Sequence, residues 1–365
     1  MPLAGGVQIG AIHGQKAQEM TRPDLTIRGG GIFGLSIAWE AARRGARVRL
    51  IETARIGAGS SGGVVGALAP HVPENWNEKK AFQLDSLLMA EPFWAGVTEA
   101  SGLPTGYARL GRLQPLDSAE AVARANDRAS EAQSLWQGRA AWQVVPATGA
   151  GWEPATPTGL LIHDTLSARL HPRLAAAALV AAIRAKGGEV VIGEAEATGP
   201  VIWATGHAGL LALNADLGGR VGAGVKGQAL LLAHDARDLP QMQVDGLHIV
   251  PHADGTVAIG STSENQWEDP VSVDAQCDAL LARAVAAVPA LQAAPVLERW
   301  AGIRPRARSR APMLGAWPGR AGAYIANGGF KIGFGMAPKV AQVMVDLVLD
   351  GVDRVPEGFR VGASL

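Results

Sequence analysis

The residues best spaced to do chemistry are the glycines of Gly29-Gly30-Gly31-Ile32-Phe33-Gly34. They follow an apolar run at 25–28 and open a stretch with helical apolar spacing at 32–44. A second apolar run, 47–52, ends in Glu52, 18 positions after Gly34. Gly29 permits a tight turn, Gly31 lets the backbone approach a pyrophosphate, and Gly34 lets the helix pack closely on the strand. A helix starting there offers free N–H groups and a positive dipole end to phosphates. Glu52 can accept hydrogen bonds from both hydroxyls of a ribose and disfavours a 2′-phosphate. The arrangement predicts a dinucleotide site; its alternative is a glycine-rich turn without a ligand.

This much leaves FAD and NAD both open, and further segments separate them. Residues 58–67 place Ser60 and Ser61 among small residues with room for a large planar ligand. Val201-Ile202-Trp203-Ala204-Thr205-Gly206 reads as an apolar strand ending in a small-residue turn. The stretch 327–338 is again glycine-rich and opens a last helix, a second positive helix end for an electron-rich ring edge.

Trp300-Ala301-Gly302-Ile303-Arg304-Pro305 carries an arginine for which a structural ion pair is one reading. Arg304, Arg306, Arg308 and Arg310 are spaced by two, so in an extended chain all four project to one side. That predicts a substrate with a second anionic group, against a loop or a solvated arginine surface. His71, His163, His171, His207, His234 and His252 lack metal-ligand spacing, and no metal is expected. Cys277, in an amphipathic helical stretch, reads as a core thiol. Trp39 and Trp94 fit helix packing, while Trp203 and Trp300 adjoin the motifs.

The elements that must position these residues start as a strand, helix, strand unit over 25–52. Further helices are expected at 78–100, 119–135, 172–186, 274–288 and 338–349. Strands are expected at 160–163, 190–192, 201–204, 228–233, 247–251, 257–260, 297–303 and 323–326. Strands alternating with helices at both ends imply a parallel sheet, and the closely spaced strands of 228–260 an antiparallel one. Tryptophan-bearing, proline-rich loops at 136–158 and 262–271 are expected where the chain crosses between domains. Fold class is thus α/β, α+β overall: a Rossmann-like dinucleotide domain (21–75, 165–207, 300–365) interleaved with an antiparallel-sheet substrate domain (76–164, 208–299).

Composition agrees with an enzyme or binding protein. The chain has 365 residues, 48% hydrophobic, with 33 Lys+Arg against 33 Asp+Glu. That balance argues against disorder and against a nucleic-acid partner. The single cysteine rules out an intrachain disulfide framework and suits a cytoplasmic location. Residues 1–20 read as a disordered leader without a signal-peptide core, with Met20 a candidate start. The longest apolar stretch, 174–183, is too short to cross a bilayer.

On these motifs, over residues 25–350, the sequence resembles the FAD-dependent amine and amino-acid oxidoreductases of the D-amino-acid oxidase superfamily. Within them it is most similar to the glycine oxidase branch. The resemblance implies non-covalent FAD, with Gly29, Gly31, Ile32, Phe33 and Gly34 at the pyrophosphate turn and Glu52 with Thr53 at the adenosine ribose. Ser60 and Ser61 would meet the phosphates, and Val65, Gly66 and Ala67 would lie along the flavin. Gly206 would touch FAD, and Gly329, Phe330, Lys331, Ile332, Gly333 and Phe334 would hold the pyrimidine side of the ring. Arg304 would bind the substrate carboxylate. Lys331 stands in place of a second family arginine and His248 in place of the glycine oxidases' tyrosine. For His248 a hydrogen-bonded strand histidine is the equal alternative. Ser309 and Arg310 replace an Asp-Gly pair, the connection 193–200 is shorter than the family's hairpin, and Arg28 replaces an apolar strand residue.

The implied activity is oxidation of a carboxylate-bearing amine to an imine that water hydrolyses to an oxo acid. Electrons would pass to dioxygen or a carrier, with no catalytic side chain beyond the flavin. Other readings stay open: a subunit or dehydrogenase needing a partner electron acceptor, an oxidoreductase acting on modified tRNA, an NAD-dependent dehydrogenase, and an oligomer of any of these.

Overall fold

Leu25 and Ile27 are fully buried, and their strand is the centre of a six-stranded sheet in the computed structural model, which describes residues 22–365. The leader expected at 1–20 and the start at Met20 lie outside the described residues. Leu25–Arg28 pairs in parallel with Val48–Glu52 on one side and with Val201–Trp203 on the other. Glu189–Ile192 closes one edge; Ala323–Asn327 and the antiparallel Met313–Ala316 close the other.

The helices of the described residues are α1 (Ile32–Arg43), α2 (Glu78–Ser101), α3 (Ala119–Trp136), α4 (Pro172–Ala185), α5 (Gly206–Asp216), α6 (Ala275–Ala287) and α7 (Gly333–Leu349). Helices α1, α2, α4 and α7 pack together and share one core with the sheet, including Trp39, Trp94, Leu179, Val340 and Met344. Thr26 and Arg28 reach the strap 193–200, where they donate to the carbonyls of Thr198 (2.7 Å) and Ala195 (3.0 Å). Arg28 also lies 5.2 Å from the Trp203 ring centroid. This supplies the role of the unusual strand arginine: it ties the shortened connection to the sheet.

The second sheet has eight strands in the order Val296–Ala307, Gly222–Ala233, Thr256–Gly260, Leu247–Pro251, Gln241–Val244, Arg112–Pro115, Leu160–Asp164 and Trp142–Pro146. All neighbours are antiparallel except Gln241–Val244 with Arg112–Pro115. Helix α6 covers this sheet, with Cys277 fully buried among Leu230, Ile249, Ile259 and Leu280, as a core thiol should be.

Several elements differ from their sequence signal. Gly222–Ala233 begins six residues earlier than expected, because Gly222, Gly224 and Gly227 depress strand propensity at its start. The expected loop 136–158 contains the edge strand Trp142–Pro146, and 262–271 links a strand of the second sheet to α6. Neither stretch is a crossover. The chain passes between sheets through 102–111, 165–171, 217–221 and 308–312. Helix α7 starts at Gly333, five residues before the expected start at Pro338, which lies inside the helix. Helix α2 packs on α4 and α7, and Val296–Ala307 runs unbroken past position 300, so the two parts interleave finely at 76–101 and 300–307.

Candidate active site

At the dinucleotide end, strand, turn and helix are held by contacts that side chains would destroy. Gly29 has φ +110°, and a Cβ on Gly34 would stand 1.9 Å from the Gly29 carbonyl oxygen. Gly31 is the N-cap of α1, with no side-chain cap and no acid in the first turn. Helix N–H groups are thereby left for an anion. Ile32 N–H donates to Ser61 Oγ (3.0 Å), drawing the 60–62 turn over the helix start. Glu52 accepts from Gly30 N–H (2.7 Å) and Ala54 N–H (2.9 Å), one on each carboxylate oxygen. Each oxygen keeps a lone pair for a ribose hydroxyl. Thr53 is exposed beside it and Ser60 is half-buried.

The C-terminal glycine segment comes to the same place. A Cβ on Gly329 would stand 2.9 Å from the Phe33 ring, and Gly333 approaches Ile32. Asn327 Nδ2 donates to the carbonyl of Gly206 (2.9 Å), joining the α5 start to this segment. Between the two sheets run Val65, Gly66 and Ala67. Gly66 has no room for a side chain, its ideal Cβ being 1.8 Å from Leu170 O. Val65 packs on Gly260, and Trp300 covers Gly63 and Gly302. Buried His252 donates through Nε2–H to the Val64 carbonyl (2.9 Å); burial first, then His171, pushes its imidazole down to about 4, so it is neutral. An acid-free helix start on which only the Ile32 N–H is taken, by Ser61, a glycine where a pyrophosphate must approach, and a ribose-facing carboxylate fit FAD.

Arg304 lies in the second sheet with 8% of its surface exposed. Its guanidinium donates to Ser261 Oγ (2.6 Å) and to the carbonyls of Lys226 (3.1 Å) and Thr262 (2.5 Å). Nε has no partner, and among the described residues no carboxylate pairs with this arginine. Burial lowers it to about 10, which leaves it charged at neutral pH. The structural ion pair is thus not what holds it. His248 is on the strand facing Gly260, adjacent to Ser261. Burial, with Arg112 and Lys331 behind it, pushes its imidazole down to about 4, and its Nδ1 is buried without a partner. Lys331 Nζ lies 5.9 Å from the Phe330 ring centroid.

Of the four alternate arginines, Arg304 and Arg306 are in the strand and both meet the Phe330 ring, at 5.5 and 5.6 Å. The strand ends at Ala307. Arg308 turns to the carbonyl of Leu365, and Arg310 sits in a turn at φ +61°. Of the other histidines, His171 lies against His252 with ring centroids 4.7 Å apart, while His234 stacks on Trp152, His207 meets Trp267 and His71 pairs with Gln83.

Three contributors carried no sequence signal: Ser261, Thr262 and Gly227. A Cβ on Gly227 would stand 2.3 Å from Arg304 Nη2 and 2.5 Å from Cζ, so this glycine makes the flat berth for the guanidinium. Gly227→Ala should displace it while FAD stays bound. Losing a charged hydrogen bond of about 1.5–3 kcal/mol predicts a KM raised roughly 10- to 150-fold, read by steady-state kinetics on the best substrate.

Known proteins bear on this geometry. The chain spans about half the length of the bifunctional protein ThiO/ThiG of Trichormus variabilis, 53%, with 28% identity over 354 residues and 91% of this chain covered. It is 28% identical over 372 residues to the glycine oxidase of Pseudomonas putida, covering 93% of this chain and 99% of that one. The crystal structure of glycine oxidase from Geobacillus kaustophilus shares the fold, with a TM-score of 0.80, 23% identity, and 93% and 98% coverage. Residues 24–347 match the DAO family, described as FAD dependent oxidoreductase. The glycine turn, Glu52 and the acid-free start of α1 agree with that match, and the chain belongs to the DAO family of FAD-dependent oxidoreductases.

Proposed function

We propose that this protein oxidises the C–N bond of a carboxylate-bearing amine, an amino acid or N-substituted glycine. The observation that carries this reading is Arg304: buried, charged, without a carboxylate partner among the described residues, and with a free Nε. A buried cation of this kind is completed by an anionic ligand. The likeness to proteins named glycine oxidase supports an amine as the ligand.

Gly29–Gly34, Glu52, Ser61 and the 329–334 segment would hold FAD, which when bound would supply a two-electron acceptor for the Cα hydrogen. The imine so formed is hydrolysed by water to an oxo acid and an amine or ammonia. Arg304 grips the carboxylate and sets which bond faces the cofactor. Arg304, Lys331 and Arg112 also make the site electropositive, which favours the neutral amine that can release a hydride over its ammonium form. His248, neutral above about pH 4, offers a hydrogen bond without adding charge. No helix is long and apolar enough to cross a membrane among the described residues. Dioxygen or an electron carrier takes the electrons.

The test is the visible spectrum of the purified protein under anaerobic addition of amino acids and N-alkyl amino acids. Bleaching of the flavin bands by one amine supports the reading, and the return of colour in air marks an oxidase. A yellow protein that no amine bleaches overturns it in favour of a partner-dependent subunit.

A further inference from the structure

Three cations surround one ring. Arg304 Cζ, Arg306 Cζ and Lys331 Nζ lie 5.5, 5.6 and 5.9 Å from the Phe330 centroid, so no two are farther apart than about 11.5 Å. The ring is fixed between them. Phe330 N–H donates to Pro305 O (2.9 Å), Arg306 and Gly329 form a bridge, and Phe330 itself holds φ +44°, a costly conformation for a bulky residue.

The cations are not balanced by the protein. None of the three pairs with a carboxylate among the described residues. Glu264, whose charge reaches Arg304, is engaged by Gln228 Nε2 and Thr262 Oγ1 and lies 3.9 Å from Lys226. Arg306 makes one side-chain hydrogen bond, to Asn265 Oδ1 at 3.2 Å, and is only half-buried. Lys331 is exposed to solvent, and the desolvation it does undergo, together with the Arg304 charge, pushes its ammonium below its usual value. A substrate with one carboxylate satisfies Arg304 and leaves two cations in mutual repulsion.

Resting on the amine-oxidation reading above, we propose that the substrate carries two anionic groups, a carboxylate held by Arg304 and a second anion held by Arg306 with Lys331. Arg306 is then a specificity-determining residue. Its planar fork selects a second carboxylate at a fixed reach from the first, and it does not touch the bond that breaks.

The experiment uses the FAD-loaded protein and pairs of probes: N-methylglycine against iminodiacetate, alanine against aspartate in both enantiomers, and acetate against malonate as unreactive ligands. Iminodiacetate or aspartate should exceed its monoacid in kcat/KM by about tenfold or more, and malonate should perturb the flavin spectrum at about a tenth of the acetate concentration. In Arg306→Ala the diacid-to-monoacid ratio should fall about tenfold, with partial recovery in Arg306→Lys. Equal handling of both acids, equal binding of malonate and acetate, or a proportional loss on both acids in Arg306→Ala overturns the second anion site and leaves amine oxidation standing. Failure of every amine of both kinds to bleach the flavin overturns the underlying reading as well. Should Arg306→Ala fold poorly, the malonate comparison on the unaltered protein still decides.

Discussion

Arg304→Ala is expected to lower kcat/KM by roughly 30- to 5,000-fold while FAD remains bound, since truncating one partner of a buried charged pair costs about 2–5 kcal/mol. The guanidinium donates to three protein acceptors, and its buried Nε has no partner among the described residues. Loss should therefore fall on substrate, seen as a raised KM and a slower anaerobic reduction, with the flavin spectrum of the resting protein unchanged. Arg304→Lys should recover little, because an ammonium is a point charge that cannot hold the Ser261, Lys226 and Thr262 acceptors and still present a donor where Nε stands. Unchanged kinetics in Arg304→Ala would remove this residue from the site, and loss of FAD would make it structural.

The second large effect lies in stability. Arg112 Nε donates to Asp164 Oδ2 at 2.8 Å between directly paired strands, with side chains 4% and 0% exposed. Asp164→Ala leaves the Arg112 charge buried and unpaired, which costs about 3–5 kcal/mol. It also frees the Ser167 N–H that Asp164 accepts. Chemical denaturation should show a lower midpoint with an unchanged slope. A loss under about 1 kcal/mol would mean the pair is solvated and behaves as a surface bridge. The site should feel the change too. Arg112 Nη1 donates to Gln243, the cross-strand partner of His248, and the Arg112 charge helps keep that imidazole neutral.

Part of this was legible in the residues themselves. The turn at 29–34, α1 and Glu52 form within one short stretch of chain, so glycine spacing, apolar period and a terminal acid are enough to specify them. The same holds for the buried thiol of Cys277 on its amphipathic helix. Where glycine served a partner far along the chain, the signal inverted. Gly222, Gly224 and Gly227 depress strand propensity, yet they begin a 12-residue strand because Leu210 at the first, Ile303 and His207 at the second and Arg304 at the third occupy the space their side chains would need.

By itself, then, the sequence determined the glycine turn at 29–34, the helix it opens and the acid that closes the next strand. These depend on residue type at short spacing. Tertiary structure alone decided which arginines converge, that Gly227, Ser261 and Thr262 seat Arg304, that Arg28 anchors the 193–200 strap, and where the chain crosses between its sheets. Each of those rests on strand pairing and side-chain reach between segments tens of residues apart or more, and neither quantity is encoded in local propensity.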